Sequence, residues 1–243
     1  MICKLEDTSK AAALFAGWPD TCIISCLQKV MGDIFVTDPD EPRSAMARLG
    51  EYAFYGGAPS RELAEAKSEG LLIMVPLTEE WAKLIEDVWP NAEKAFRFAT
   101  KKEPRFDRSR LEAIAASLPE GYALHKVEGE LLDIFLKEGY FSNFRSKAGF
   151  EALGRGFAVI KEGRIVSSAT SYSRYREGIE VDVETSEQER RKGLALAVCA
   201  KLILSCLDEG LYPSWDAANI GSLHLAQKLG YEFDCEYASY EIE

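Results

Sequence analysis

Histidine is nearly missing from this chain, which has only His125 and His224 among its 243 residues. Two isolated histidines with no carboxylate at metal-ligand spacing do not make a zinc site, so we expect no metal. No G-x-S-x-G sequence accompanies them, which argues against a hydrolase with a serine triad. G-x-G-x-x-G is likewise missing after every predicted strand, which makes a flavin or nicotinamide enzyme a weak interpretation.

Cysteine is sparse as well, and none of the six residues forms a C-x-x-C pair. Cys22 and Cys26 are one helical turn apart, and Cys199 and Cys206 fall on an apolar helix stripe. We therefore expect free, mostly buried thiols, which is consistent with a reducing compartment.

Long apolar runs are also missing. No run approaches the roughly 18 residues that a membrane span requires, and the sequence after Met1 does not have the form of a signal peptide. Apolar residues still make up 47% of the chain, which is enough for a substantial core. We expect a soluble, cytoplasmic protein with no membrane partner.

Positive charge is low, with 29 Lys and Arg against 40 Asp and Glu, for a net charge of −11. This balance argues against a nucleic-acid partner, which needs a basic surface. It is compatible with a cationic substrate such as an amine. The sequence leaves the oligomeric state open, a homo-oligomer included.

Against this acidic background, a basic cluster lies where a predicted strand turns into a predicted helix. Apolar residues alternate with Glu180, Asp182 and Glu184 at the period of a strand. Apolar residues recur at helical spacing from Leu194 onward. Between them the chain has the pattern R-x-x-G-x-A, formed by Arg190, Arg191, Lys192, Gly193, Leu194 and Ala195.

The chemistry of this junction suggests an anion site. A helix start has about four unpaired N–H groups and roughly half a positive charge. Three basic side chains at that end are unfavourable unless an anion lies among them. Gly193 lets the backbone approach a ligand closely, and Ala195 keeps the next turn slim. We interpret the junction as a phosphate or pyrophosphate cradle; the alternative is a solvated basic turn with an ordinary glycine.

The downstream sequence adds a second set of signals. Residues 211–216 predict a strand, Asn219 starts a short helix, Gly230 ends it, and a last strand follows. Together with R-x-x-G-x-A, this ordered set resembles the acyl-CoA-binding core of the GNAT (GCN5-related) N-acetyltransferases over residues of about 120–240. The Trp-Asp-x-x-Asn sequence from Trp215 looks most like the subgroup that contains the zwittermicin A resistance acetyltransferases.

The resemblance implies an α/β (α+β) fold with a mixed, mostly antiparallel central sheet flanked by helices. We expect an N-terminal α/β subdomain over residues 1–104, a linker over residues 101–104, and the GNAT domain over residues 105–243. Ser44–Leu49 is predicted as a short helical piece. The predicted element order in the first half repeats that of the second half, without an R-x-x-G-x-A. The first half is either a degenerate half-copy or a domain that shares a common α/β order.

The resemblance also implies acetyl-CoA as co-substrate. The backbone of residues 191–195 would hold its pyrophosphate, and Asn219 and Ser222 would lie beside the pantetheine arm. The strand end that would pair with this arm consists of Val183, Glu184 and Thr185. For Asn219 and Ser222 the alternative is plain helix capping.

Acetyl transfer to an amine requires removal of a proton, and a carboxylate on the central strand is suited to accept it. We rank Glu180 first, Asp182 second and Glu184 third; the alternative is a solvated acidic face. The tyrosine that protonates the leaving thiolate in many family members is replaced here by Ala226. Nearby Tyr231 and Tyr237 are substitutes that no sequence feature places at the sulfur.

The resemblance therefore implies transfer of an acetyl group to a primary amine of a small molecule, an amino-containing antibiotic among the candidates. The alternative is a non-catalytic acyl-CoA-binding regulatory protein, which the loss of the tyrosine at Ala226 favours. Trp215 either packs in the core or lines the substrate pocket, and core packing is the better interpretation because tryptophan is mostly buried.

Overall fold

The computed structural model describes residues 1–66, 70–103, 105–139, 142–144 and 146–243. The chain forms two compact units, Met1–Arg97 with Glu236–Glu243, and Phe98–Cys235. The first division therefore falls after Arg97 rather than after residue 104, and the C-terminal end joins the first unit. The described part of the expected linker is fixed in the second unit, because Lys101 N–H donates to the Glu232 carbonyl at 2.9 Å.

The first unit alternates short strands and helices. Its strands are β1 (Cys3–Lys4), β2 (Asp33–Val36), β3 (Ser44–Leu49), β4 (Tyr52–Gly57), β5 (Leu72–Pro76) and most of β6 (Glu93–Thr100). Its helices are a 3-10 helix (Thr8–Phe15), α1 (Thr21–Gln28), α2 (Arg61–Ala64) and α3 (Glu79–Val88). Ser60 is at the N-cap position of α2, and residues 67–69 lie outside the described part of the chain.

The prediction of a helix over Ser44–Leu49 is wrong, because this segment is strand β3. It pairs antiparallel with β2 on one side and with β4 on the other, and most of its side chains are buried. Alanine, methionine and leucine favour helices locally, but pairing on both edges inside a sheet overrides that weak preference. β4 then pairs parallel with β5.

The second unit contains the segments that the sequence singled out. Its helices are α4 (Arg108–Ala115), α5 (Gly129–Lys137), α6 (Lys147–Leu153), α7 (Leu194–Asp208) and α8 (Ile220–Leu229), with 3-10 turns at Ser142–Phe144 and Glu187–Glu189. Its strands are β7 (Ala123–Lys126), β8 (Gly156–Lys161), β9 (Arg164–Tyr175), β10 (Gly178–Thr185), β11 (Tyr212–Ser214), β12 (Asp216–Ala217) and the start of β13 (Phe233–Ile242). Residues 140, 141 and 145, before α6, lie outside the described part of the chain.

The sheet of the second unit is mostly antiparallel, as predicted. β7, β8, β9 and β10 pair antiparallel in that order, and β11 then pairs parallel with β10. Helix α7 lies against this sheet, and Val198 and Leu202 share a core with Ile179 and Val181 of β10. The core fixes the position of the helix start relative to the end of β10.

The two units share one element order: a strand, two helices, three antiparallel strands, a helix, a strand, a helix and a last strand. The strand β3, which the sequence did not predict, is needed for the match. The last strand of each half of the chain pairs with a strand of the other half. Ala99 of β6 pairs with Asp216 of β12, and Tyr240 of β13 pairs with Met74 of β5.

The cysteines are free thiols, and Cys22, Cys26, Cys199 and Cys206 are buried. Burial raises the pKa of Cys206 to about 12, so this thiol stays protonated at neutral pH. Within the described ranges, no helix is both long and apolar enough to cross a bilayer. The same ranges contain no group of three or more His, Cys, Asp and Glu side chains placed to bind a metal ion.

Candidate functional site

The parallel strands β10 and β11 separate partway along their length. Their register ends with the pair Glu180 and Ser214. Beyond this pair β10 continues to Thr185 alongside β9, whereas the chain after Ser214 leaves to pair with β6 as β12. The stretch of β10 from Val181 to Thr185 therefore keeps backbone N–H and C=O groups along an edge that another extended segment can pair with.

Glu180 links β10 to the chain that follows β11 at the point of separation. Its carboxylate Oε1 accepts a hydrogen bond from the backbone N–H of Asp216 at 2.7 Å. The residue is 8% exposed, so this contact lies inside the protein. The register of β9 against β10 also shifts between Glu180 and Val181, which marks an irregularity in the ladder at the same level. One oxygen of this carboxylate is thus committed to the backbone.

A cavity of about 670 Å³ opens beside the free edge of β10. Its walls come from the ends of β9 and β10 and from the starts of α7 and α8. It is lined by Ile165, Val166, Ser167, Ser168, Val183, Glu184, Thr185, Ser186, Glu187, Arg190, Ala195, Asn219, Gly221, Ser222 and Leu225. The structure thus brings together the strand end and the two downstream residues that the sequence put forward for a pantetheine arm.

A second cavity of about 450 Å³ lies at the start of α7. It is lined by Thr185, Glu189, Arg190, Arg191, Gly193, Leu194, Ala195, Leu196, Gly221, Leu225 and Lys228. Thr185, Arg190 and Ala195 line both cavities, so the two form one groove. We call this the α7 groove. It runs from the basic cluster to the side of the strand separation.

The helix start in the groove has the geometry of an anion site. Gly193 has a φ of 81°, a left-handed conformation that glycine adopts without strain. A Cβ placed on Gly193 would meet nothing within 4 Å, so the space in front of the backbone is open. Among the described side chains none caps this end of α7, and the first N–H groups of the helix have no intrahelical acceptor.

The three basic residues of the junction have different roles. Arg190 and Arg191 line the groove, and Arg190 Nε also donates to the Thr185 carbonyl at 3.3 Å. Lys192 instead pairs with Glu189, with 2.6 Å between Nζ and Oε2. Arg191 has a positive φ of 62°, which is uncommon outside glycine and sharpens the turn before the helix.

Glu189 is the centre of a brace that the sequence analysis missed. Its carboxylate also accepts hydrogen bonds from the Tyr122 hydroxyl at 2.5 Å and from Lys161 Nζ at 2.9 Å. The hydrogen bond from Lys192, followed by those from Tyr122 and Lys161, lowers the pKa of Glu189 to about 2. The spacing from Glu189 to Lys192 was a readable signal for part of this brace. Nothing local points to Tyr122 or Lys161.

Asn219 and Ser222 occupy the first turn of α8. The Asn219 side-chain Oδ1 accepts from the Ser222 N–H at 3.0 Å, so Asn219 is the N-cap. Because Oδ1 must face that N–H, the amide NH₂ group of Asn219 points away from the helix, and the residue is exposed along the groove. The cap therefore uses the Oδ1 atom and leaves the NH₂ group of Asn219 outside this hydrogen bond.

Trp215 is 1% exposed and packs in the core of the second unit. Its indole Nε1–H donates to the Ser222 Oγ at 3.1 Å. The core interpretation of Trp215 is the one that the structure favours, and the ring also ties β11 and β12 to α8.

The three candidate carboxylates lie in different environments. Glu180 is buried and bonded to Asp216, Asp182 is exposed, and Glu184 is exposed at the wall of the groove. Neither Glu180 nor Asp182 is among the residues that line the two described cavities. Of the three, the structure places only the carboxylate ranked last directly on the groove.

The tyrosine candidates for a proton donor are engaged elsewhere. Ala226 is fully buried and has no proton to give. Tyr231 donates its hydroxyl to the Pro213 carbonyl at 2.6 Å, and burial raises its pKa well above the usual value. Tyr237 belongs to the first unit, where its ring packs edge-on against Trp18 with 5.4 Å between ring centroids.

The second unit therefore combines a mixed sheet, a parallel strand pair that separates and an uncapped helix start. The sequence model of the GNAT acetyltransferase family matches residues 12–240, and the chain belongs to this family. It is an N-acetyltransferase of the acyltransferase class. The match spans both units.

Individual relatives agree with this family assignment. The chain is 26% identical over 230 residues to the uncharacterised N-acetyltransferase YdfB of Bacillus subtilis (strain 168), covering 88% of this chain and 86% of that protein. The crystal structure of a GCN5-related N-acetyltransferase-like protein from Streptococcus suis 89/1591 has a TM-score of 0.91 and 40% identity, covering 97% and 98% of the two chains.

A more distant likeness concerns the fold alone. A tandem GNAT protein from the clavulanic acid biosynthesis pathway superposes with a TM-score of 0.60 at 12% identity, covering 100% of this chain and 98% of that one. Its description as tandem is consistent with the element order that repeats in the two units here.

Proposed function

We propose that this protein transfers an acetyl group from acetyl-CoA to a primary amine of a small molecule. The observation that carries the proposal is the α7 groove. It joins an open, uncapped helix start to the edge of a strand that has lost its parallel partner. GNAT acetyltransferases use acetyl-CoA, which is anionic at one end and peptide-like in the middle, and the groove has matching donors at both places.

The chain's own groups would bind the co-substrate in two sections. The N–H groups of residues 191–195 and the side chains of Arg190 and Arg191 would hold the pyrophosphate, because a helix start favours an anion. The free edge of Val183, Glu184 and Thr185 would pair with the amides of the pantetheine arm as a further strand would. The outward NH₂ group of Asn219 supports the same placement, because it can donate to an amide carbonyl.

Proton removal from the amine is the task of the chain's carboxylates. An alkylamine with a pKa near 10 costs about 4 kcal/mol to hold neutral at pH 7. Glu180 and Asp182 are the proposed bases, acting directly or through a water molecule. Glu184, which lies at the wall of the α7 groove, is the third candidate for the same role. A backbone N–H at the strand separation would stabilise the negative charge that develops on the thioester oxygen.

The acceptor class follows from charge and from the finer resemblance. The net charge of −11 and the carboxylates of β10 suit a cationic amine. The Trp-Asp-x-x-Asn sequence, with its likeness to zwittermicin A resistance acetyltransferases, supports an amino-containing antibiotic as one acceptor. A cytoplasmic location is part of the same proposal.

A calorimetric titration of acetyl-CoA tests the site. In Gly193→Glu the new side chain enters the open space of the cradle with a negative charge, and we expect affinity to fall at least about a hundredfold. Gly210→Glu is the matched control, since Gly210 lies just past the other end of α7, also has a positive φ of 69° and has nothing within 4 Å of its Cβ position. Equal affinities in the two folded variants would contradict the assignment of the cradle.

An amine panel with free thiol as the readout then tests the reaction. Turnover of acetyl-CoA that depends on a primary amine supports the transferase proposal and identifies the acceptor class. Tight binding of acetyl-CoA with no turnover on any amine would favour the alternative, a non-catalytic acyl-CoA-binding protein. The observation that favours this alternative is the buried Ala226 in place of the usual tyrosine.

A further inference from the structure

The hydroxyl of Ser222 has an unused proton. An indole N–H can only donate, so in the contact with Trp215 at 3.1 Å the Ser222 Oγ must be the acceptor. The Ser222 hydroxyl therefore keeps its own O–H for another partner. No acceptor for that O–H is present in the described part of the chain, although Ser222 is half-buried at the wall of the α7 groove.

The position of this hydroxyl is fixed from two sides. The backbone N–H of Ser222 donates to the Asn219 side chain, which fixes Ser222 in the first turn of α8. Its oxygen is held by Trp215, and Trp215 directly follows Ser214, the last residue of β11 that pairs with β10. The Trp215 ring thus connects Ser222 to the residue that follows the last β10–β11 pair, and the proposed function puts the thioester at this separation.

The thiolate that leaves in acetyl transfer needs a hydrogen-bond donor, and the usual tyrosine is missing. Ala226 replaces it one turn further along the same helix, and the Tyr231 hydroxyl is bonded to a backbone carbonyl. A fixed O–H at a low-dielectric wall is worth more to a developing charge than one in water. Ser222 has such an O–H.

We propose that Ser222 donates its hydroxyl hydrogen bond to the sulfur of coenzyme A, with Trp215 as the positioning residue; this inference rests on the proposed function. In the step, the amine nitrogen forms a bond to the acetyl carbon, the carbon–sulfur bond breaks, and its electron pair stays on sulfur. The amine proton goes to the carboxylate base. Ser222 keeps its proton, stabilises the thiolate through the hydrogen bond, and the released thiolate takes a proton from water.

The ionisation of bound coenzyme A tests this contact without any acceptor. The thiol of free coenzyme A and of the complex is titrated through the ultraviolet absorbance of the thiolate. A donor at the sulfur stabilises the thiolate, and a hydrogen bond to a charged group shifts the pKa by about one unit or more. We expect the thiol pKa in the Ser222→Ala complex to lie above that in the wild-type complex by this amount.

Ser186→Ala is the matched control. Ser186 lines the same cavity, but its hydroxyl already donates to the Val166 carbonyl at 3.1 Å. We expect its complex to keep the wild-type thiol pKa. Ser222→Thr, which retains the hydroxyl, should restore most of the shift, and Trp215→Phe, which removes the indole N–H, should reduce it in part while coenzyme A still binds.

The outcomes separate the two proposals. If wild type and Ser222→Ala both bind coenzyme A and the bound thiol has the same pKa in the two complexes, the assignment of Ser222 is overturned. The proposed function would then still stand. A Ser222→Ala variant that only loses affinity, with the thiol pKa unchanged, would place the hydroxyl on the pantetheine arm and also overturn it. No binding of coenzyme A by wild type would overturn the proposed function together with this inference.

Discussion

The two units have the same element order, yet they differ at the junction between the fourth strand and the helix that follows it. In the second unit, β10 and β11 part after Glu180 and Ser214, and a Cβ on Gly193 would meet only open space. In the first unit, β4 and β5 stay paired through Tyr55 and Pro76. The following N–H of residue 77 donates to the Tyr55 carbonyl at 3.1 Å, so the ladder continues to the end of the strand.

The first-unit junction is also filled by side chains. The indole of Trp81 donates to the Gly57 carbonyl at 2.9 Å, and its ring lies 5.0 Å from that of Tyr55. Both aromatic residues are fully buried. A Cβ on Gly57 would come within 2.3 Å of the Arg43 carbonyl. Glycine here allows backbone to pack on backbone, whereas Gly193 leaves room for a ligand.

Both junctions have a strand, a glycine and a helix, so the difference lies in their surroundings. In the second unit the strand loses its parallel neighbour and the helix starts beside an open groove, which is the arrangement that we propose as an anion cradle. Helix α2, which follows β4, has four residues, whereas α7 has 15. The half-copy origin of the first unit stays a prediction, and among the described residues the filled junction leaves no open space at the position that corresponds to the α7 groove.

Removing the Trp81 side chain, which fills the first-unit junction, should have the largest effect. We expect Trp81→Ala to lower the free energy of unfolding by about 3 to 5 kcal/mol, because it leaves a cavity under α3 and an unpaired Gly57 carbonyl. Denaturant unfolding measures the loss. Acetyl-CoA affinity of the folded fraction should not change, because the α7 groove lies in the second unit.

Trp89→Ala provides a comparison for Trp81→Ala. Trp89 also donates its indole N–H to a backbone carbonyl, that of Ala64 at 2.7 Å, but it is only half-buried. Its loss should cost less than that of Trp81. A larger cost for Trp89, or a gain of acetyl-CoA binding in Trp81→Ala, would contradict the view of the first junction as a closed, packed structure.

Glu180 should give an intermediate effect, and its two variants separate stability from catalysis. Glu180→Ala removes the side-chain acceptor of the half-buried Asp216 N–H and should cost about 1 to 3 kcal/mol in urea unfolding. Glu180→Gln keeps an oxygen for that N–H, so we expect near wild-type stability and, if Glu180 is the base, a kcat about 10²- to 10⁴-fold lower.

The rates should be measured on the amine that the panel identifies, with Asp182→Asn and Glu184→Gln alongside. Acetyl-CoA affinity should survive in all three amide variants. If Glu180→Gln turned over at the wild-type rate, the role of Glu180 would be structural alone, as the acceptor for the Asp216 N–H. The carboxylate whose amide variant loses kcat would then take the role of base.

The sequence predicts those parts of the fold and site that depend on neighbouring residues. The alternation along β10, the helix start at Asn219 and the start of α7 after Gly193 are local features, and the structure has each of them. Helix starts are readable because the capping side chain bonds to an N–H two or three residues ahead.

The features that the sequence did not predict depend on contacts between distant segments. Strand β3 has helix-forming residues and becomes a strand only through its two partners. Glu180 was ranked as a base from its strand position, and its bond to Asp216 follows from the separation of β10 and β11. The sequences of β6 and β13 do not show that each strand pairs with the other half of the chain. Alternation of apolar and polar residues predicts a strand but does not specify its partner.

The smallest expected effect concerns the contacts of Glu189 in the turn before α7. They hold the second-unit junction by charge, whereas the first-unit junction is held by packing. The pKa of Glu189 is lowered from 4.5 to about 2 by its bonds to Lys192, Tyr122 and Lys161. A lowered carboxyl pKa contributes stability that is complete above the unfolded value near 4.5 and is lost as the pH falls toward 2. Unfolding of wild type and Glu189→Gln in urea from pH 7 to pH 3 should show a difference that shrinks below about pH 4.5.

Glu187→Gln is the control for that series, because Glu187 lies in the same turn but is exposed and 3.7 Å from Arg190. At pH 7 we expect Glu189→Gln to weaken acetyl-CoA binding severalfold, since Lys192 and the turn before α7 lose their anchor. Identical pH curves for wild type and Glu189→Gln would mean that the brace does not fix the cradle. The open junction would then be held, like the closed one, by the packing of its helix on the sheet.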